Sequence, residues 1–168
     1  MSYDPNVPPG NTPPGPSGGP PYGSPIPAGT AGLGARIGAR LLDVLLVGIP
    51  AGLILGLIGL GAGFTGDGWI GSAIVSVLWF GYFVLLESNR GATLGKSLLN
   101  LRVVVADGSN PPTDVAAKRN IWMLFGLIPV LGGLLSFVAV IVIIVTIVSD
   151  QNNRGYHDQF AGTAVMRT

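Results

Sequence analysis

Three stretches of this chain, 44–66, 68–86 and 120–149, contain no Asp, Glu, Lys or Arg. Apolar runs of that length suit a hydrocarbon core about 30 Å thick, which roughly 20 residues of α-helix cross. Lipid offers the backbone no hydrogen-bond partner, so such runs must fold as helices. The first block, with the turn that leads into it, predicts a membrane helix over about 38–64. The second, "WIGSAIVSVLWFGYFVLL", carries Trp69 at one end and Trp79, Tyr82 and Phe83 toward the other, as interfacial aromatics would be placed, and predicts a helix over 69–87. The connection "GAGFTGDGW" is short, so these two helices form a tight antiparallel hairpin.

The third block is long for one span, and Pro129, Gly132 and Gly133 interrupt it. Thr113 or Asp114 after "NPP" is a helix start. The block therefore reads as a short, tilted or partly inserted helix over 114–128, a turn at "PVLGG", and a full span over 131–149. The fold class that follows is an all-α integral membrane protein, a helix hairpin plus a second, short-and-full helix pair. Gly48, Gly52 and Gly56 recur every fourth residue and suit close helix packing, with Ser72 and Ser76 a second small face. Pro50 predicts a kink beside them.

With 9 Lys and Arg and 8 Asp and Glu in 168 residues, the chain has too few charges to build a water-facing surface. A formal net charge of +1 gives no footing for a nucleic-acid partner; the lipid bilayer is the partner the composition implies. There is no cysteine, which excludes thiolate catalysis and disulfide scaffolding. Residues 1–32 are a Pro- and Gly-rich tail with one charge, Asp4, and read as disordered, a spacer or a ligand for a protein partner with an aromatic groove. The first apolar run starts too late and runs too long for a secretory signal. The transmembrane domain is then 33–168.

Lys and Arg in short loops favour the cytoplasmic side. Arg90, Lys96, Arg102, Lys118 and Arg119 lie between the second and third blocks, and Arg36 and Arg40 precede the first, whereas the hairpin turn has neither. The N-terminus and the long loop are therefore expected inside. "LRVVVADGS" reads as a strand entering a turn, and "GTAVMRT" at the C-terminus is its candidate partner in a small cytoplasmic two-stranded element. That pairing requires four membrane segments.

"GATLGKS" invites a phosphate-binding reading, but Gly91 to Gly95 leaves one residue too few for a P-loop and the preceding segment is a membrane helix. The plainer reading is a cytoplasmic turn, with Gly91 and Gly95 giving backbone freedom, Lys96 near the headgroups, Arg102 further along, and Leu98, Leu99 and Leu101 along the interface. His157 is the only histidine; it reads as a loop residue or, more sharply, as a proton-sensitive group. No carboxylate and histidine set has metal-ligand spacing, so no metal or cofactor is expected, and no nucleophile elbow points to an enzyme. Arg36, Arg40 and Asp43 are spaced four and three and share a helix face. The arginines serve as topology anchors, but an acid about a turn into the hydrocarbon costs on the order of 1 to 3 kcal/mol. Pairing of Asp43 with Arg36 or Arg40, or with His157 or Arg102, would offset that cost.

The opening segment, "GATLGKSLLNLRVVVADG" at 91–108, "KRN" at 118–120 and "NRGYHDQFAGTAVM" at 153–166 resemble the RDD family of small polytopic membrane proteins. The Arg and first Asp of that family match Arg36 and Asp43, and Asp158 resembles its second Asp. The proline-rich tail is similar to that of proline-rich antigen members, which implies the plasma membrane of a bacterium. The resemblance leaves open whether Arg36 or Arg40 faces Asp43. Two function classes follow. One is transport of an ion or small solute by a homo-oligomer, proton-coupled exchange included, with Asp43 the protonatable group, Arg36 or Arg40 tuning it and Asp158 guarding the cytoplasmic mouth. The other is a membrane scaffold or accessory subunit that recruits partners through the tail.

Overall fold

The computed structural model describes residues 29–57 and 69–168. The tail up to residue 28 and the hairpin turn around Asp67 lie outside them. Helix α1 (Leu33–Asp43) runs through a π-helical turn (Val44–Gly48) into α2 (Ile49–Leu57). The π turn has a local cause. Pro50 has no N–H and its ring crowds the carbonyl four residues back, so the preceding turn widens and Ile49 N–H reaches back to Val44 O. Helix α3 is Trp69–Arg90, followed by the short α4 (Leu94–Leu98) and strand β1 (Leu101–Val104). Helix α5 (Thr113–Asn120) tightens into a 3-10 segment (Ile121–Leu127), and α6 (Gly132–Ser149), α7 (Tyr156–Ala161) and β2 (Ala164–Arg167) complete the chain.

Among the described residues, three helices are long and apolar enough to cross a membrane, Leu33–Ile54, Gly71–Arg90 and Gly132–Ser149. Their outward residues, Leu45, Leu53, Leu78, Phe137 and Val145 among them, are exposed apolar side chains, a surface suited to lipid and not to water. The first helix starts at Leu33, several residues before the expected 38, so Arg36 and Arg40 stand inside it. The expected helix over 114–128 is α-helical only as far as Asn120. Beyond that the 3-10 turn lies hard against α3, and a Cβ on Gly126 would fall 1.9 Å from Ser76 Oγ. The Ser72 and Ser76 face thus receives Gly126. In the glycine row of the first helix, Gly48 takes the Trp79 ring edge, 3.1 Å from where a Cβ would be, while Gly52 has open space there.

The 113–127 segment runs antiparallel to α3. Asn120 Nδ2 donates to Glu87 near one end at 2.9 Å, and Trp69 Nε1 donates to Leu127 O at the other at 2.9 Å. The chain therefore traverses the bundle four times, which brings β1 and β2 to the same end. They pair antiparallel, Leu101 with Arg167 through Val104 with Ala164, as the patterns of "LRVVV" and "GTAVMRT" anticipate. Residues 29–32, placed by composition in the tail, extend this sheet. Thr30 bridges Met166, and Ala31 N–H donates to Val165 O at 2.8 Å. Ala31, Ala39, Leu101, Val103 and Val165 form a small core beneath the sheet. Leu101 is buried in it and not spread along the interface; Leu98 is exposed.

Candidate functional site

The end of the bundle that carries the sheet holds three fully buried carboxylates, Asp43, Glu87 and Asp158. Each is satisfied in a different way. Asp43, at the end of α1, accepts from Tyr82 Oη at 2.8 Å, Thr93 Oγ1 at 2.8 Å and Gly95 N–H at 2.7 Å. None of the expected partners, Arg36, Arg40, His157 or Arg102, hydrogen-bonds it. Three neutral donors from α3 and the following loop carry out the compensation that an arginine was expected to supply, and they tie the loop to α1. Thr93 also caps α4, its hydroxyl accepting from Lys96 N–H at 3.4 Å.

Gly95 makes this latch possible. A Cβ there would lie 2.0 Å from Ala39 O and 2.9 Å from Asp43 N, so only glycine lets the loop backbone reach the helix backbone. Gly95→Ala is expected to force the two apart and destabilise the protein by about 1–3 kcal/mol. Thermal melts in detergent check this, with Gly108→Ala as the strained but uncrowded comparison.

Glu87 pairs with Lys96 and accepts from Asn120, while Arg119 Nη1 stands 3.8 Å away. Lys96 is therefore buried against Glu87 and not among headgroups. Burial, opposed by Glu87, pulls its ammonium down to about 8. Asp158 accepts from Arg36 Nη1 at 2.5 Å and from Gly155 N–H at 3.1 Å, where it caps α7, and forms an ion pair with Arg119 Nη2 at 3.0 Å. Burial alone would raise the Asp158 carboxyl, but Arg119 and Arg36 hold it well below the usual range. Arg36 additionally donates to Ala31 O at 3.0 Å and Asn153 O at 2.7 Å, joining the N-terminal segment, α1 and the C-terminal loop. Arg119 links Glu87 to Asp158.

Arg40 is the exception. Its guanidinium stacks over Phe83 at 3.9 Å and lies 5.7 Å from Trp122, and among the described residues it has no hydrogen-bond or ion-pair partner. It lines a half-open cavity of about 500 Å³ in the bundle, together with Arg36, Asp43, Lys96, Arg119 and His157. Gly91, with φ +70, and Arg102, whose Nε and Nη2 donate to Asn110 Oδ1 at 2.9 and 2.8 Å, shape the loop beyond and do not join this set.

His157 is mostly buried, not an exposed loop residue, and its Nε2 lies 3.4 Å from Arg119 Nη2. The same Nε2 stands 3.5 Å from Asp158 Oδ1. Burial, which outweighs the neighbouring Asp158, lowers the imidazole from 6.5 to about 4. The unfolded chain takes up this proton below its ordinary value and the folded chain only near the lowered one. The stability contributed by the neutral ring is thus complete above the ordinary value and lost as pH falls through the window between them, roughly 3 kcal/mol in all. Melting temperature should fall across that window, and His157→Gln should flatten the fall.

The sequence model of the RDD family matches residues 30–162. The chain belongs to the RDD family. It is 32% identical over 136 residues to Uncharacterized protein YckC of Bacillus subtilis (strain 168), which covers 80% of this chain and 83% of that one. No solved structure matches the chain. The stretch matched to the RDD family contains the whole charge cluster, from Arg36 to Asp158. An RDD membrane protein with its buried charges at one end of an apolar bundle is the coarse identity that these observations establish.

Several members of the cluster have only faint sequence signals. Glu87 closes the second apolar block as Asp43 opens the first, and the same insertion-cost argument singles it out. Arg119 reads as one more loop cation. Tyr82 and Trp122 read as interfacial aromatics, and Thr93 and Asn120 as ordinary cap residues. Nothing in their spacing shows that they meet.

Proposed function

We propose that this protein transports an ion or small solute across the plasma membrane of a bacterium, as a multi-pass protein with the sheet end cytoplasmic, and that the solute's charged group sits at Arg40. The observation that carries this reading is the charge left over inside the bundle. All three carboxylates are engaged by protein donors, whereas the Arg40 guanidinium faces the cavity over the Phe83 ring with no hydrogen-bond or ion-pair partner among the described residues. Glu87 and Asp43 act on Arg40 only from beyond ion-pair distance, and a desolvated cation without a direct carboxylate partner favours a negative solute group. Asp43, saturated by three donors, is less suited to taking up and releasing a solute cation. The positive residues at the sheet end, Arg36, Arg90 and Lys118 among them, support its cytoplasmic placement.

The test is flux in liposomes containing the full chain at matched protein density. Anion uptake is expected to fall roughly tenfold or more in Arg40→Gln, equivalent to 1.4 kcal/mol or more of lost interaction, and to survive in Arg40→Lys. Cation flux that requires Asp43 and ignores Arg40 would replace this reading with proton-coupled cation exchange. Absence of any flux would sink transport altogether.

A further inference from the structure

The charged groups of the cavity lie at one end only. Arg40, Glu87, Lys96 and Arg119 line it where the helices meet the sheet, and Trp79, Val140 and Ile144 line it deeper in the bundle. Ser76 and Ser136 are among its furthest lining positions. From Ile147 at the charged end to Ser136 the wall follows α6 for about 16 Å, by helical rise.

Among the described residues, the groups left without a partner at the charged end are guanidinium and indole donors and one imidazole nitrogen, His157 Nδ1. Besides Arg40, the buried Nε and Nη1 of Arg119 and the indole Nε1 of Trp122 lack a hydrogen-bond acceptor among the described residues. The nearby carboxylate oxygens already accept, Asp43 from three donors and Glu87 from Lys96 and Asn120. A buried donor without an acceptor costs roughly 1–3 kcal/mol, so the head of the cavity matches a group that only accepts. A cation or a polyol would need free acceptors there. The apolar walls beyond make a poor environment for anything but hydrocarbon or an aromatic body, and the volume is in the range of sites that enclose a whole organic ligand.

We propose that the cavity binds an amphiphile with a single oxyanion head, a carboxylate or phosphate monoester, seated at Arg40, Arg119 and Trp122, with its apolar body along Trp79, Val140 and Ile144. This rests on the cavity being the solute site proposed above. The head could belong to a free amphiphile or to a membrane lipid, and the two share this chemistry.

Trp79 and Trp122 supply the readout, because a bromine atom in the cavity quenches both. The full chain in neutral phosphatidylcholine nanodiscs is titrated with bromododecyl phosphate and with bromododecanol, which differ only in the head. Saturable quenching is expected, with half-saturation roughly tenfold lower for the phosphate. That preference should disappear in Arg40→Gln and return in Arg40→Lys, and in the double variant Trp79→Phe, Trp122→Phe only the head-independent quenching of the exposed Trp69 should remain. Displacement by added phosphatidic acid would assign the head to a membrane lipid, and its absence to a free amphiphile; both uphold the class. Equal quenching by the two probes, or none that depends on Arg40, overturns the proposal as bilayer partitioning. Inorganic phosphate protecting the indoles while neither amphiphile shows a preference also overturns it and leaves only a small-anion site. Amphiphile binding with no liposome flux refutes transport and leaves the ligand class standing, whereas small-anion flux without amphiphile binding does the reverse.

Discussion

Asp158→Ala is expected to lower the melting temperature of the detergent-solubilised protein by on the order of 10 °C. Asp158 is fully buried and sits between two arginines, Arg36 at 2.5 Å and Arg119 at 3.0 Å. Removing one member of a buried pair leaves charge without compensation and costs about 3–5 kcal/mol. Here two guanidiniums would be left facing one another, and the Gly155 N–H that Asp158 caps would lose its acceptor. Asp158→Asn keeps an oxygen for the cap and one arginine and should lose markedly less. The ends of the chain should respond together, because Arg36 also holds Ala31 and Asn153. Hydrogen exchange at the Ala31 and Arg167 amides, which donate to Val165 O and Gly29 O, would accelerate in the alanine variant. Wild-type melting with unchanged exchange would show that the sheet packing alone, without the ion pairs, closes this end.

Asp43→Ala should be nearly as damaging, and Asp43→Asn much milder. Alanine strands Tyr82 Oη, Thr93 Oγ1 and Gly95 N–H around an empty space, and at roughly 1 kcal/mol or more for each abandoned donor the loss is about 3 kcal/mol. Asparagine retains an oxygen for Gly95 and Tyr82, and the Thr93 hydroxyl can rotate to accept from the new amide, so the cost is about 1 kcal/mol. This difference separates a latch from a proton carrier. A latch tolerates Asn in flux as well as in melting at matched protein density. A carboxylate that carries protons loses flux in Asp43→Asn while the protein melts as wild type, and that result would return Asp43 to the centre of the transport reading.

The sequence by itself determined the long apolar helices and the meeting of the two strands. Charge-free runs of membrane length leave the backbone no alternative to helix, and the alternation in "LRVVV" and "AVMR" has one partner to find at one end of the bundle. It also marked Asp43 as an acid that must be compensated, because the cost of burying a carboxylate does not depend on which fold surrounds it. The tertiary structure decided the identity of the partners. Arg36, Arg40 and Asp43 share a helix face, yet Arg36 reaches across more than a hundred residues to Asp158, Arg40 lies on aromatic rings and Asp43 takes hydroxyls and a backbone amide. Spacing along one helix says which side chains point the same way. Which of them meet a hydroxyl, a ring or an opposite charge is set by the helices packed against that face, and so the excess of donors around one cavity exists only once four passages of the chain have closed around it.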